Sequence, residues 1–350
     1  MVTIGLISYP LYLWHWPLLS FAQISEGAVP APSIRSAAVL LAIILAWLTT
    51  RFVENPIRGA PKQTSVVLPL IACMAICAIF GFTVFLNNGL AERSVEIAKF
   101  SELQKQLAPT AEIEKRVLCR TKTRGSSFPN CIYLANDAEA TVALVGDSHA
   151  EHYFYGLSEH FSRQKENLVF MQIERLFLHQ TCEANGPVWN KLVETSASKT
   201  VIISPYSANY VFDEATESGK SAKKDYTACL FNSVKKLVDS GKNVIYVLDI
   251  PRLNFDIRSC LARPLRISSE HVRSPCAVSR SFADSQASEY GKTIFSVLGK
   301  LPGVSIYNPA GALCDAESCW AVKDGQVLYR DDNHLSYTGS MYFSDRLLPN

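Results

Sequence analysis

The run Thr141-Val-Ala-Leu-Val-Gly-Asp-Ser-His149 decides how this chain folds. Thr141–Val145 is apolar and rich in β-branched residues, which reads as a buried strand. Gly146 and Asp147 break that pattern, and His149–Arg163 then repeats its apolar residues at helical spacing. Ser148 therefore stands at a strand-to-helix turn. There its own N–H lies near a helix N-terminus and can face a developing oxyanion, whose charge the helix dipole favours. Working outward, Leu168–Ile173, Thr200–Ser204, Asn243–Leu248 and Val304–Tyr307 read as further strands, with helical patterns near Ser221–Ser240, Ser281–Lys300 and Ser336–Leu348. Strands alternating with helices predict an α/β domain whose parallel sheet is covered on both faces, and ligands then bind beyond the carboxyl ends of the strands.

The second informative stretch is Asp331-Asp-Asn-His-Leu-Ser336, just before the last helix. A D-x-x-H turn supplies an imidazole that can take the Ser148 proton and return it to a leaving group. It also supplies a carboxylate that can hold the other ring nitrogen. His334 and Asp331 are the expected partners of Ser148, and Asp332 is the rival carboxylate. His152, His160, His179 and His271 have no spacing that suggests a metal and read as surface or core-edge residues; His149 reads as lining the pocket mouth, with no catalytic role.

The chain has 350 residues, with 34 Lys+Arg against 32 Asp+Glu. This balance excludes the basic surface that nucleic-acid binding requires. The charges are unevenly spread, and three apolar segments come first: Val2–Ile24, Ser36–Thr50 and Val66–Leu86. Each reads as a transmembrane helix, the short second one between the snorkelling residues Arg35 and Arg51. The basic Arg51–Lys62 loop belongs on the cytoplasmic side, which puts everything after Leu86 outside. His15, between Trp14 and Trp16, reads as an interfacial anchor, and Cys73 and Cys77 as helix-packing residues. Residues 88–139 read as a polar spacer with a solvated Glu/Lys-rich helix. The eight remaining cysteines lie in the outer part and fit disulfides better than zinc. Cys314–Cys319 and Cys119–Cys131 are the short-range candidates. Cys182, Cys229, Cys260 and Cys276 allow three connectivities, of which Cys260–Cys276 with Cys182–Cys229 is preferred.

From Val142 onward the chain resembles the SGNH hydrolase family, with Gly146-Asp-Ser-His149 as its first block and Asp331-x-x-His334 as its last. The resemblance implies a flavodoxin-like three-layer α/β/α domain over residues 140–350. It also implies an oxyanion hole completed by a glycine and an asparagine, for which Gly186 and Asn209 are the candidates. Ile7-Ser-Tyr-Pro-Leu-Tyr-Leu-Trp-His-Trp-Pro17 and Arg51-Phe-Val-Glu-Asn-Pro-Ile-Arg58 resemble the closing helices of the acyltransferase-3 membrane family. On that likeness residues 1–64 correspond to the last two helices of such a unit and residues 65–87 to an additional helix leading to the SGNH domain. The earlier helices of the unit are expected on a partner. The combined resemblance implies a membrane O-acetyltransferase acting on an envelope polysaccharide such as lipopolysaccharide O-antigen. It further implies a multi-pass protein of the bacterial inner membrane with its SGNH domain in the periplasm. No cofactor is expected to be bound, and acetyl-CoA would be the ultimate donor, handled by the remaining membrane helices. The alternatives are a carbohydrate O-acetyl esterase and a truncated, glycan-binding or inactive remnant.

Overall fold

The structure is a computed structural model of the chain, and it describes residues 7–26, 29–59, 64–87, 89–90, 95–107, 117–118, 131–134, 139–178, 182, 186–261 and 272–347. Two compact units are present, Met1–Leu103 with Arg258–Arg273, and Gln104–Ile257 with Ser274–Asn350.

Four helices come first along the chain: α1 (Ser8–Glu26), α2 (Pro32–Thr49), α3 (Thr64–Leu86) and α4 (Val95–Leu107). Pro32 starts α2 where its missing N–H costs nothing. The helix runs on through a π turn at Thr50–Glu54 and a last turn at Asn55–Arg58, so the segment that looked short in sequence belongs to a 27-residue helical stretch, Pro32–Arg58. Glu54 and Arg58 pair at 2.6 Å on that last turn. Pro32–Arg58 and Val67–Leu86 are long and apolar enough to cross a membrane. The third expected span, α1, carries Tyr9, Tyr12, Trp14, His15 and Trp16 and is less apolar; it packs on α2, with Trp14 Nε1 donating to Thr49 Oγ1 at 2.9 Å. His15 turns Nδ1 back to the carbonyls of Leu11 and Tyr12. On α3, Met74 and Phe85 are about three-quarters exposed, and Cys73 and Cys77 are exposed free thiols. An apolar surface this continuous suits lipid, not water, and makes the protein a membrane-associated one.

The second unit is built on a seven-stranded sheet in the order β1-β2-β4-β3-β5-β6-β8. Its five parallel strands are β3 (Val142–Gly146), β4 (Leu168–Gln172), β5 (Thr200–Ser204), β6 (Asn243–Val247) and β8 (Val304–Tyr307). They fall within a residue of their sequence-predicted bounds because buried parallel strands are uninterrupted apolar runs. One face carries α5 (Ser148–Arg163) and α9 (Tyr337–Leu347), where Phe154 meets Phe170 and Tyr153 meets Phe343. The other carries α6 (Gly186–Glu194), α7 (Glu217–Asp239) and α8 (Arg280–Leu298), which bury Trp189, Tyr226, Leu230 and Ile294 against Val145, Ile203 and Tyr246. This is the predicted three-layer architecture.

Sequence reading missed the edge of the sheet. The segment expected to be a spacer carries β1 (Val117–Leu118) and β2 (Cys131–Leu134), and β2 adds antiparallel to β4. Two small pairs also lie outside the main pattern: β7 (Ala277–Ser279) with β9 (Ser318–Trp320), and β10 (Val322–Lys323) with β11 (Gln326–Val327). Strands this short carry no readable alternation. Disulfides form between Cys182 and Cys229 and between Cys314 and Cys319. Cys260 and Cys276 are each disulfide-bonded. The expected Cys119–Cys131 bridge lies outside the described residues.

Candidate active site

The strand order places a reversal of winding between β3 and β5, and crevices open at the carboxyl ends of strands at such a point. β3 ends at Gly146, where a Cβ would stand 2.2 Å from the Ser204 carbonyl oxygen of β5, so only glycine lets the two strand ends come this close. Asp147 then caps α5. Its Oδ1 accepts from the His149 N–H at 2.9 Å and its Oδ2 from the Tyr206 N–H at 3.0 Å, tying the turn after β3 to the turn after β5. Burial raises the Asp147 pKa, against the pull of those two N–H groups. Ser148 opens the helix, and the ladder begins with the N–H groups of Ala150 and Glu151 on the Asp147 carbonyl. The Ser148 N–H is left at the helix N-terminus, where a donor and the positive end of the dipole coincide.

His334 arrives from the far end of the chain on a tightly held turn. Tyr329 pairs with Leu335, the Arg330 N–H donates to the His334 carbonyl at 3.0 Å, and the Ser336 hydroxyl accepts from Gly339 N–H as α9 begins. The result brings His334 Nε2 to 2.9 Å from Ser148 Oγ, while Nδ1 lies 3.0 and 3.1 Å from the two Asp331 oxygens. Asp331 also accepts from the N–H groups of Asn333 and His334. Burial by itself would push the Asp331 carboxyl up, but the His334 hydrogen bond and the two N–H donors overcome it and hold the group at about 2. Asp332 is exposed and lends only its carbonyl, to Leu253 N–H, so the fold selects Asp331 over its neighbour as the imidazole's partner.

The histidines next to the serine differ from expectation. His149 is buried; its Nδ1 lies 2.8 Å from Asp249 Oδ1, and its ring stacks on Tyr206 at 4.2 Å and sits 4.6 Å from the His334 ring. His152 and His160 are buried as well. Neither nitrogen of His152 has a hydrogen-bond partner, and burial, followed by the charges of His149, His334 and Arg330, pushes its pKa well down. His179 and His271 lie outside the described residues. Asp249, at the end of β6, and Tyr206, at the end of β5, went unnoticed in sequence. The available signal was position alone, since each lies two residues beyond the end of an apolar strand, at the edge where Ser148 also lies. Of the expected oxyanion donors, Asn209 sits on a 3₁₀ turn at Ser207–Tyr210 and Gly186 opens α6; among the described residues no hydrogen bond joins either to Ser148 or His334.

Beside this cluster a hollow of about 220 Å³ opens among Ser207, Tyr210, Phe212, Arg252 and Tyr290. A larger one, about 470 Å³, is lined by His160, Thr200, Asn243 and Val304, at the amino ends of the strands and away from Ser148. Among the described residues no group of three or more His, Cys, Asp or Glu could hold a metal ion.

A parallel sheet of this winding, with a Gly-Asp-Ser turn after its first parallel strand and an Asp-x-x-His turn before its last helix, defines a domain of the SGNH class. The comparison with known families makes this specific: residues 118–349 match the SGNH domain that is fused to AT3 domains, and the chain belongs to that family. Shorter similarity extends to the O-acetyltransferase OatA of Staphylococcus aureus, in strains NCTC 8325 / PS 47, COL and MRSA252 among others. The identity is 34% over 71 residues, which is 20% of this chain and 12% of each of those proteins. The match thus spans about an eighth of the length of those curated relatives.

Proposed function

We propose that the protein is a membrane-bound O-acetyltransferase that passes an acetyl group through Ser148 to a hydroxyl of an envelope polysaccharide. The observation that carries this reading is the hydrogen-bonded chain from Ser148 Oγ through His334 to Asp331. In the first half-reaction Ser148 Oγ bonds to the acyl carbon as its proton passes to His334 Nε2, and the tetrahedral oxyanion faces the Ser148 N–H. Collapse expels the leaving group, which takes the proton from His334. An acceptor hydroxyl then attacks, gives its proton to His334, and the bond to Ser148 Oγ breaks as the serine is reprotonated. Asp331 keeps the imidazole in the required tautomer throughout. Water in place of the acceptor makes the same site an esterase.

The AT3-fused family and the O-acetyltransferase name of the S. aureus relatives support transfer as the main outcome. Acetyl-CoA is the proposed ultimate donor, with lipopolysaccharide O-antigen as one acceptor of the required kind and the SGNH domain in the periplasm. A charged thioester does not cross hydrocarbon unaided, and the membrane-length helices Pro32–Arg58 and Val67–Leu86 are strongly apolar. Further acyltransferase helices are therefore the proposed partner for that step.

The test uses the whole chain in detergent with p-nitrophenyl acetate. Intact-mass analysis is expected to trap one acetyl group on Ser148. Ser148→Ala and His334→Ala are expected to lower turnover by at least about a thousandfold. Wild-type turnover in either variant would overturn the site.

A further inference from the structure

We propose that His149, held by Asp249, binds the acceptor, and that together with His334 it selects a sugar carrying two adjacent hydroxyls. The inference rests on the transferase reading above and adds the class of acceptor.

Asp249 is saturated with donors. Oδ1 takes His149 Nδ1 at 2.8 Å and Ile250 N–H at 2.9 Å; Oδ2 takes Ser207 N–H at 3.1 Å and Ser207 Oγ at 2.7 Å. A carboxylate only accepts, so a His149 ring paired with it carries its proton on Nδ1. Its Nε2 is then the remaining functional atom. Among the described residues that atom makes no hydrogen bond, although the ring is buried.

The arrangement repeats the one next to it. In both pairs a carboxylate holds Nδ1, and the rings lie 4.6 Å apart beside the same serine. The Nε2 of His334 is engaged by Ser148, and that of His149 is not. Stability is a poor explanation for such a device, because a buried His–carboxylate pair is commonly no better than apolar side chains of the same volume. The three segments that build it, following β3, β5 and β6, all end at the ligand-binding edge of the sheet.

Once Ser148 is acylated, His334 Nε2 is released to accept the attacking hydroxyl. A second acceptor one ring away then faces the neighbouring position of the incoming molecule. A vicinal diol satisfies both nitrogens, one hydroxyl on each. A simple alcohol satisfies one and leaves the other buried and unpaired, which costs about as much as a hydrogen bond. The bond-making step is unchanged. The hydroxyl on His334 attacks the acyl carbon and loses its proton to that ring, the bond to Ser148 Oγ breaks, and the proton passes to the serine.

The full chain in detergent, with p-nitrophenyl acetate as donor, is offered cyclohexanol and cis- and trans-1,2-cyclohexanediol, and acetylated products are quantified by gas chromatography. The wild type is expected to prefer at least one diol over cyclohexanol by about tenfold, the worth of one good hydrogen bond. His149→Gln is expected to bring that ratio near one, whatever its absolute rate. Asp249→Asn, which retains volume and the ring stack, reads the same ratio if the first variant does not fold. A ratio that survives while overall rate falls would make His149 a support for His334 alone and overturn the proposal. Wild-type transfer without diol preference would also overturn it and leave the transferase reading standing. Hydrolysis with no transfer to any alcohol would remove both.

Discussion

Asp331 has a folded-state pKa of about 2, below the ordinary carboxylate value of 3.8. The folded protein thus favours the ionised form. The stabilisation this brings is complete above the unfolded-state value and fades as pH falls through about 2. The Asp331→Asn variant lacks the titrating group. Its melting temperature is expected to lie below that of the wild type near neutrality, with the gap closing as pH falls from about 5 to about 2. A gap independent of pH in thermal unfolding scans would mean that the carboxylate is not held by His334. At the same scale, the neighbouring Asp332 is interchangeable with Asp331 in composition but not in geometry: one accepts three N–H donors and the other faces water.

Two helices set the distance between serine and imidazole. Ser148 starts α5 and His334 precedes α9, and these two helices cross at Gly156, where an added Cβ would stand 2.1 Å from the Ser340 carbonyl oxygen. The Gly156 N–H also donates to Ser340 Oγ at 3.0 Å. A methyl group at this contact must push the helices apart. Gly156→Ala is expected to cost about 1–3 kcal/mol in chemical unfolding, the usual penalty for overpacking, and to lower esterase turnover more than it changes KM, because Ser148 and His334 separate. Unchanged stability would show that the crossing can relax elsewhere. Ser344 Oγ, by contrast, is spent within its own helix on the Met341 carbonyl.

For the molecule as a whole, the basic sequence Arg51–Lys62 and the disulfides bear on the same question from separate chemistry. Thiols pair where the compartment is oxidising, and positive loops remain inside. Alkaline phosphatase fused after Asn130 is expected to be active and a cytoplasmic reporter at the same point silent. Non-reducing peptide mapping is expected to recover Cys182–Cys229 and Cys314–Cys319. An inactive phosphatase fusion together with free thiols at these four positions would reverse the topology.

Repeating pattern and short-range spacing were legible in the sequence alone. The five parallel strands, the helices α5, α7, α8 and α9, the apolar helices at the start, and Ser148 and His334 as residues on turns at one edge of a sheet follow from apolar runs, helical spacing and local turn chemistry, whereas α6 was not read from the sequence. Short edge strands were not legible, because β1 and β2 hold too few residues for alternation to register. Only the tertiary structure decided which side chains meet. His149 finds Asp249 a hundred residues away, Gly156 finds Ser340 at a separation of 184, and Tyr206 closes on both Asp147 and His149. None of these pairs has a sequence period. The contacts among Asp147, His149, Tyr206 and Asp249 exist because strands far apart in the chain lie side by side and their carboxyl ends deliver residues to one edge, and the Gly156–Ser340 contact exists because the first and last helices of the domain pack on the same face of that sheet.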